Sequence, residues 1–283
     1  MKRAATILIA LMLVVGLLSL SACNSGPDTT NSPSPSGTSE SVSDNQDGTE
    51  VPFTSEEGKL IMATSAGFPP YEFWEGGAIV GIDAEIAEAI AGKLGLTLQI
   101  DDMDFTSVIL AVTSGKADIA MAGLTITEER MLSVNFTTSY ATGVQAIIVK
   151  EGSEITSVYD LYAEDAFFNI GVQESTTGDL YTTWDLEDEG LATIFRFTKG
   201  ADAVMALATD RVDCVVIDDE PAKAFVAQID GLMILETEFT VEDYAIAVGI
   251  GNTALLEAID NALTELINDG TVQSIIDKYI NAD

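Results

Sequence analysis

The segment from Gly81 to Gly95 reads GIDAEIAEAIAGKLG and predicts one amphipathic helix, around which the neighbouring elements can be placed. Its large apolar residues recur at every fourth position and therefore share one helix face: Ile82, Ile86, Ile90 and Leu94. Asp83 is the predicted N-cap, and Gly95 is predicted to end the helix. Short apolar runs at Lys59–Thr64 and Leu96–Asp101 flank the helix and predict two strands.

The alternation of strands and helices continues along the chain and then repeats. A helix at Ser107–Ser114 and a strand at Asp118–Ala122 complete a first β-α-β-α-β unit. The remaining predicted elements are a strand at Phe168–Val172, a helix at Gly178–Leu186, a strand at Thr193–Phe197, a helix at Ala201–Thr209, strands at Asp213–Ile217 and Leu232–Glu236, an apolar run at Tyr244–Val248, and helices at Ala254–Ile267 and Thr271–Tyr279. This order predicts an α/β protein with two parallel sheets and right-handed crossovers. Two such lobes leave a cleft between them, where small ligands bind.

The composition excludes several classes of function. The 283 residues include 46 acidic and 12 basic side chains, and the formal charge of −34 disfavours nucleic-acid binding. The chain has no histidine, which excludes histidine-based zinc sites and nucleophile–histidine pairs. Its two cysteines are too few for a cysteine-rich metal site. We therefore expect no metal, no cofactor and no catalytic residue, and we expect Cys214 to be buried in a strand.

The first 23 residues predict an export signal. Lys2 and Arg3 precede an apolar run that ends in Leu20-Ser21-Ala22-Cys23, which is the three-part pattern of a signal peptide. The segment resembles a bacterial lipoprotein signal, in which Cys23 is lipidated and becomes the new N-terminus. An uncleaved membrane anchor and an ordinary secretory signal are the alternatives. Residues 24–55 are predicted to be a disordered tether, because Ser, Thr, Pro, Gly and Asn dominate its first half.

Polar and aromatic residues follow the predicted strands at their carboxyl ends. In open α/β sheets this edge is where ligands bind. The residues that we expect to point into one cleft are Ser65, Phe68, Phe105, Gly123, Leu124, Thr125, Glu174, Thr177 and Asp218. For each phenylalanine, ordinary core packing is an equally plausible interpretation.

Arg130 and Asp218 form the most informative pair. Arg130 is one of three arginines after the signal segment, and it follows a cleft-facing loop with Thr127 as a predicted helix N-cap. A guanidinium can hold a carboxylate through two parallel hydrogen bonds, whereas a carboxylate suits an ammonium group. An arginine on one lobe and Asp218 on the other would form a receptor for a zwitterion. A surface ion pair is the alternative for Arg130, and a solvated loop is the alternative for Asp218.

The sequence resembles the family 3 solute-binding proteins of bacterial ABC transporters from about Lys59 to Tyr279. The motifs that carry the resemblance are Gly81-Ile82-Asp83-Ala84-Glu85-Ile86, Gly67-Phe68-Pro69-Pro70-Tyr71-Glu72-Phe73, Ser114-Gly115-Lys116-Ala117-Asp118 through Arg130, Gly171–Thr177 and Asp213–Asp218. The resemblance implies a two-lobed periplasmic-binding-protein fold of type II with the ligand in the cleft between the lobes.

The resemblance also implies roles for single residues. Arg130 would bind the α-carboxylate of an amino acid, together with the backbone N–H groups of Thr125 and Thr177. Asp218 would bind the α-ammonium, together with the Gly123 carbonyl and the Thr125 hydroxyl. Phe68 and Phe105 would enclose the ligand side chain. Ser65 occupies a position that often carries an acid in members binding arginine, lysine or glutamine. This serine argues against a cationic ligand unless Glu72 or Glu174 compensates.

By the same resemblance, the first lobe comprises residues 56–141 plus 243–283, and the second lobe comprises residues 142–242. The two crossings between them would form a hinge that closes over the ligand. We expect a monomeric, lipid-anchored protein on the extracellular face of the cytoplasmic membrane, at the cell surface or in the periplasm. It would present a free L-amino acid, polar neutral or cationic, to the permease subunits of an ABC importer. An enzyme on the same fold, similar to a dehydratase, and an extracellular sensor domain are the alternatives.

Overall fold

The computed structural model of the protein describes residues 54–163 and 166–280. The predicted signal segment, residues 1–23, lies outside the described residues, as does the predicted tether up to residue 53. The lipidation of Cys23 therefore stays a prediction.

Strands and helices alternate through most of the described residues. The fourteen strands found there are β1 (Lys59–Thr64), β2 (Gly67–Phe68), β3 (Glu72–Glu75), β4 (Ala78–Val80), β5 (Thr97–Asp102), β6 (Ile119–Ala120), β7 (Val134–Phe136), β8 (Ala141–Lys150), β9 (Phe168–Gln173), β10 (Ala192–Phe197), β11 (Cys214–Asp218), β12 (Leu232–Ile234), β13 (Thr240–Tyr244) and β14 (Ala247–Gly249). The α-helices in the same ranges are α1 (Ile82–Lys93), α2 (Phe105–Thr113), α3 (Glu128–Met131), α4 (Thr177–Thr182), α5 (Gly200–Ala208), α6 (Asp219–Val226), α7 (Thr253–Asn268) and α8 (Thr271–Ile280).

These strands form two large sheets and one small one. The first sheet has the order β5-β1-β6-β14-β7, and the second has the order β10-β9-β11-β8-β12 with β13 also paired to β8. The small sheet is β2-β3-β4. We call the first sheet with the small sheet, α1–α3, α7 and α8 the first lobe, and the second sheet with α4–α6 the second lobe. The β1–β5, β1–β6, β9–β10 and β9–β11 pairs are parallel, as the sequence predicts. The antiparallel pairings of β8, β12, β13 and β14 were not predicted, although β12 falls within the strand predicted at Leu232–Glu236.

Helix α1 confirms the predicted apolar face but not the predicted N-cap. Ile82, Ile86 and Ile90 are fully buried, and Gly95 follows the helix with φ +68°. The N-cap is Gly81, and Asp83 is the second residue of the helix. Gly81 has φ +126°, and a Cβ on it would stand 2.2 Å from the backbone oxygen of Tyr71, so only glycine fits this close approach. The Asp83 carboxylate is used elsewhere, as described below.

Both large sheets are covered on both faces, because their central strands β1 and β11 are buried almost throughout and successive residues pack in different clusters. In β1, Leu60 and Met62 pack in the cluster beneath α1, α7 and α8, whereas Ile61 and Ala63 pack with α2 on the opposite face. In the second lobe, Cys214 and Val216 lie on one face of β11, and Val215 and Ile217 lie on the other. Cys214 is a free, fully buried thiol, which confirms its predicted place in the core.

The chain crosses between the two sheets along the antiparallel strands β8 and β13. Tyr244 on β13 is paired with Ala141 on β8, and Thr240 is paired with Gln145. The predicted run Tyr244–Val248 is divided, because β13 belongs to the second sheet and β14 to the first. The hinge and the lobe boundaries stay predictions.

Candidate functional site

A cavity lies between the two lobes, at the carboxyl ends of β1, β6, β9 and β11. It is lined by Ser65, Phe68, Glu72, Phe105, Ala122, Gly123, Thr125, Arg130, Gln173, Thr176, Thr177 and Asp218. These include the eight residues predicted to contact a ligand, namely Ser65, Phe68, Phe105, Gly123, Thr125, Arg130, Thr177 and Asp218. Parallel strands explain this convergence, because their carboxyl ends meet at one edge of each sheet. The contact of each residue with a ligand stays a prediction.

Arg130 is buried at the wall of this cavity, with an exposed fraction of 7%. It lies in the short helix α3, whose N-cap is Thr127, as predicted, since the Thr127 hydroxyl accepts a hydrogen bond from the Arg130 N–H. Nη1 donates to the Thr125 carbonyl at 2.8 Å, and Nη2 donates to the Ser175 carbonyl at 3.2 Å. A surface ion pair is therefore wrong for Arg130. Three of its five N–H groups remain for an anion.

The charge of Arg130 is retained despite its burial. Burial lowers the pKa of Arg130 to about 10, and the nearby carboxylates of Glu242 and Asp218 oppose that effect. The guanidinium carbon stands 5.4 Å above the centre of the Phe105 ring, which is a cation–π geometry. Phe105 is the first residue of α2, two residues before the predicted start of that helix. At neutral pH the site thus contains a permanent buried cation.

Asp218 lies at the end of β11, on the opposite side of the cavity, and is 6% exposed. Its Oδ2 accepts a hydrogen bond from Gln145 Nε2 at 2.6 Å, whereas Oδ1 has no partner among the described residues. Burial, and then the negative charge of Glu242, raise the pKa of Asp218 well above its ordinary value. A cation brought to Oδ1 would relieve both effects. A solvated loop is therefore the wrong interpretation of this carboxylate.

Glu242 is a buried carboxylate that the sequence analysis missed. It lies on β13 and is 5% exposed. Its Oε2 accepts hydrogen bonds from Thr125 Oγ1 and Thr177 Oγ1, each at 2.8 Å, and from Gln145 Nε2 at 3.3 Å. Its Oε1 has no partner in the described part of the chain. Glu242 therefore connects a hydroxyl of the first lobe with a hydroxyl of the second.

Glu72 is the second buried carboxylate of the site, and it lines the cavity directly. It is 1% exposed, no N–H or hydroxyl group among the described residues donates to it, and its carboxyl group forms a hydrogen bond with that of Asp83. Burial and the negative charge of Asp83 raise the pKa of Glu72 well above its ordinary value. The motif around Glu72 identified it as a candidate, but only the pairing of β3 with β2 and β4 places it inside.

Asp83 holds the loop that carries Gly123. Its Oδ2 accepts the Gly123 N–H at 2.9 Å, and its Oδ1 accepts the Tyr140 hydroxyl at 2.7 Å. Burial raises the pKa of Asp83 to about 6, although these two hydrogen bonds act in the opposite direction. Gly123 has φ +53°, and a Cβ there would stand 2.8 Å from Cε1 of Phe68. The Gly123 carbonyl and the Phe68 ring are therefore fixed relative to each other.

Glu174, the other acid considered as a partner for a cationic ligand, is exposed and does not line the cavity. Across residues 54–163 and 166–280, no group of three or more potential ligand side chains is arranged to hold a metal ion. In the same ranges, none of the helices combines the length and the apolar character that a membrane crossing requires.

Comparison with known proteins gives a family for this arrangement. The family model of the bacterial extracellular solute-binding proteins, family 3, matches residues 60–282. The arginine-binding extracellular protein ArtP of Bacillus subtilis (strain 168) is 31% identical over 228 residues, which cover 80% of this chain and 87% of ArtP.

Solved structures show the same likeness. The structure of an ancestral arginine-binding protein bound to arginine superposes with a TM-score of 0.73 at 39% identity, over 79% of this chain and 98% of that one. The structure of an ancestral arginine-binding protein bound to glutamine gives a TM-score of 0.73 at 39% identity, over 80% of this chain and 99% of that one. These findings confirm the resemblance and the two-lobed fold, and they give no support to an enzyme or a sensor. The chain belongs to the bacterial extracellular solute-binding proteins, family 3.

Proposed function

We propose that this protein binds one free amino acid in the cavity between its lobes and presents it to the permease of an ABC importer. The observation that carries the proposal is the opposition of a buried cation, Arg130, and a buried carboxylate, Asp218, across one cavity. A zwitterion matches both charges at once. Arg130 keeps three N–H groups for an α-carboxylate, and Asp218 keeps Oδ1 for an α-ammonium.

We further propose that the preferred ligand has a cationic side chain, with arginine as the first candidate. Glu72 supports this, because its buried carboxyl group lines the cavity and receives no N–H or hydroxyl donor among the described residues, so a cation in the cavity would stabilise its ionised form. Ser65 argued against a cationic ligand from the sequence, but Glu72 supplies the acid from the neighbouring β3 strand. Phe68 and Phe105 would enclose the aliphatic part of such a ligand. The similarity to proteins named for arginine binding supports the same choice.

We propose that residues 56–141 plus 243–283 and residues 142–242 move as two lobes about β8 and β13. Closure would be driven by contacts that exist only in the closed form, which is a shift of population toward that form. Arg130 is such a contact, since it bonds to Thr125 of its own lobe and to Ser175 of the other.

We propose that the protein is a monomer held on the outer side of the cytoplasmic membrane by a lipid on Cys23 and by the segment 24–55, and the signal pattern predicted from the sequence supports the anchor. Mass spectrometry of the N-terminal peptide, from protein purified out of its native membrane, would test the anchor. A diacylglycerol on the amino-terminal Cys23 is expected, and an unmodified or uncleaved N-terminus would contradict it.

Calorimetry tests the binding proposal directly. The protein is unfolded in guanidinium, dialysed to remove bound ligand, refolded and titrated with each standard amino acid. We expect arginine to bind most tightly, and we expect mass spectrometry to find a cationic amino acid in the material released on unfolding. Failure of every amino acid to bind would overturn the proposed function. Preference for a neutral amino acid would overturn only the assignment of Glu72.

A further inference from the structure

The hydroxyls of Thr125 and Thr177 are already committed as donors. Both residues line the cavity, and both hydroxyls lie 2.8 Å from the same carboxylate oxygen, Oε2 of Glu242. A threonine hydroxyl has one proton to donate and two lone pairs with which to accept. An ionised carboxylate only accepts, so each proton is directed at Glu242. Toward any other group, such as a ligand in the cavity, each of the two hydroxyls can therefore only accept a hydrogen bond.

The surroundings of Glu242 favour this direction of the bonds. Gln145 Nε2 lies 3.3 Å from the same Oε2, so three donors converge on that oxygen. One N–H of Gln145 Nε2 is directed at Asp218, and the other is shared between Glu242 Oε2 and Thr177 Oγ1, which lies at 3.4 Å and accepts. Burial raises the pKa of Glu242, whereas the hydrogen bonds from Thr125, Thr177 and Gln145 and the positive charge of Arg130 act in the opposite direction and stabilise its ionised form. If either threonine hydroxyl turned its lone pairs toward Glu242, two acceptors would face each other without a proton between them. If the Thr177 hydroxyl turned its proton toward Gln145 Nε2, two donors would face each other.

We propose that Glu242 is a positioning residue for recognition of the ligand ammonium. By taking the hydroxyl protons of Thr125 and Thr177, it turns both hydroxyls into acceptors, which join the Asp218 carboxylate as partners for an α-ammonium. These three acceptors disfavour a ligand in which the ammonium is absent or replaced by an acceptor. The inference rests on the proposed binding of an amino acid and adds the residue that orients two of its partners.

The distinguishing experiment measures two ligands on two variants. Arginine and its analogue 5-guanidinopentanoate differ only in the α-ammonium, and both are titrated by calorimetry. In Glu242→Gln, the new amide donates to one threonine and frees that hydroxyl to donate into the cavity. We expect arginine to bind about tenfold or more weakly, as for a hydrogen bond to a charged group, and 5-guanidinopentanoate to change by less than about threefold. Asp243→Asn removes the same charge from the exposed neighbouring side chain and should leave both affinities unchanged.

An equal loss for both ligands, or no loss for either, would overturn the role of Glu242. If the wild type binds no amino acid, the proposed function itself fails, which is a separate outcome. If Glu242→Gln does not fold, Thr125→Val and Thr125→Ser decide instead. We expect the valine to weaken arginine selectively and the serine to restore it, because serine keeps the hydroxyl. Equal affinity of arginine for the valine and serine variants would overturn the proposal as well.

Discussion

Arg130 in the first lobe donates a hydrogen bond from Nη2 to the backbone carbonyl of Ser175 in the second lobe, over 3.2 Å. The same guanidinium donates from Nη1 to Thr125, over 2.8 Å. Two carbonyls from opposite walls therefore fix the plane of one side chain. Because the plane of the guanidinium is fixed, its remaining N–H groups point in defined directions. A lysine ammonium on its flexible side chain would not be oriented in this way.

Substitution of Arg130 tests this arrangement. We expect Arg130→Ala to reduce the affinity for arginine by roughly a hundredfold or more, about 3 kcal/mol, because the ligand carboxylate would be buried without a partner. Arg130→Lys should retain only part of the affinity, since one ammonium cannot reach Thr125, Ser175 and a bidentate carboxylate together. Calorimetric titration with arginine measures both losses.

Arg211→Ala is the matched control for Arg130. The Arg211 side chain is exposed and stands over the Phe197 ring, away from the cavity, so its removal deletes one cation without touching the site. We expect wild-type affinity for that variant. Similar losses for Arg130→Ala and Arg211→Ala would show that overall charge, rather than a contact, governs binding.

Gly123→Ala should weaken both folding and binding. The residue has φ +53°, where an alanine costs about 1 kcal/mol. In addition, the new Cβ would lie 2.8 Å from Cε1 of Phe68, so the ring must move within the cavity. We expect the free energy of unfolding in urea to fall by about 2 kcal/mol or more and the affinity for arginine to fall about tenfold.

Gly115→Ala separates the two effects of that substitution. Gly115 has φ +71°, but a Cβ there would meet no atom within 4 Å. It should lose about 1 kcal/mol of stability and keep the full affinity for arginine. Equal losses of affinity in the two alanine variants would contradict a role for the Phe68 ring position.

Local patterns were enough to predict the strands and helices of the two parallel units and most of the cavity. Arg130 could be predicted because arginine is scarce in the chain and because it follows a strand that ends at the ligand edge. The apolar face of α1 could be predicted because it depends only on spacing. Residues placed by local signals at strand ends therefore lie where the sequence indicated.

These local signals could not predict contacts between segments that are distant in the chain. Asp83 was predicted to be a helix cap, but its carboxylate instead accepts from Gly123 and Tyr140, which are 40 and 57 residues away in the chain. Glu242 enters the site only because β13 pairs with β8, a strand about a hundred residues earlier. Nothing in the sequence around Glu242 distinguishes it from the many other acids, so its role depends on tertiary pairing.

The thiol of Cys214 should be inert in the native protein. The side chain is fully buried in the second lobe, and burial raises the pKa of the thiol well above its ordinary value, so little thiolate forms. In a Cys23→Ser chain, where Cys214 is the single cysteine, we expect labelling by iodoacetamide at least about a hundredfold slower in native buffer than in denaturing urea. Equal rates in the two conditions would contradict the core position.

The carboxyl groups of Glu72 and Asp218 both have raised pKa values, which a cationic ligand would lower. Burial raises the pKa of both carboxyl groups, and Asp83 and Glu242 respectively raise them further. Each group therefore holds its proton to a higher pH than an exposed acid does. A bound cation stabilises the ionised form and lowers both pKa values, so binding should release protons.

Binding of arginine should consequently strengthen as the pH rises. Protonated carboxyl groups must lose their protons before they pair with the ligand, so the affinity falls when the pH is lowered toward 5 and rises until it passes their pKa values in the free protein. Calorimetry in buffers of different ionisation enthalpy counts the protons released, and we expect Glu72→Gln to release fewer than the wild type does. Glu174→Gln, which removes the same charge from an exposed side chain outside the cavity, should release as many as the wild type. Proton uptake on binding, or the same proton count in Glu72→Gln and the wild type, would show that Glu72 does not receive the cationic group.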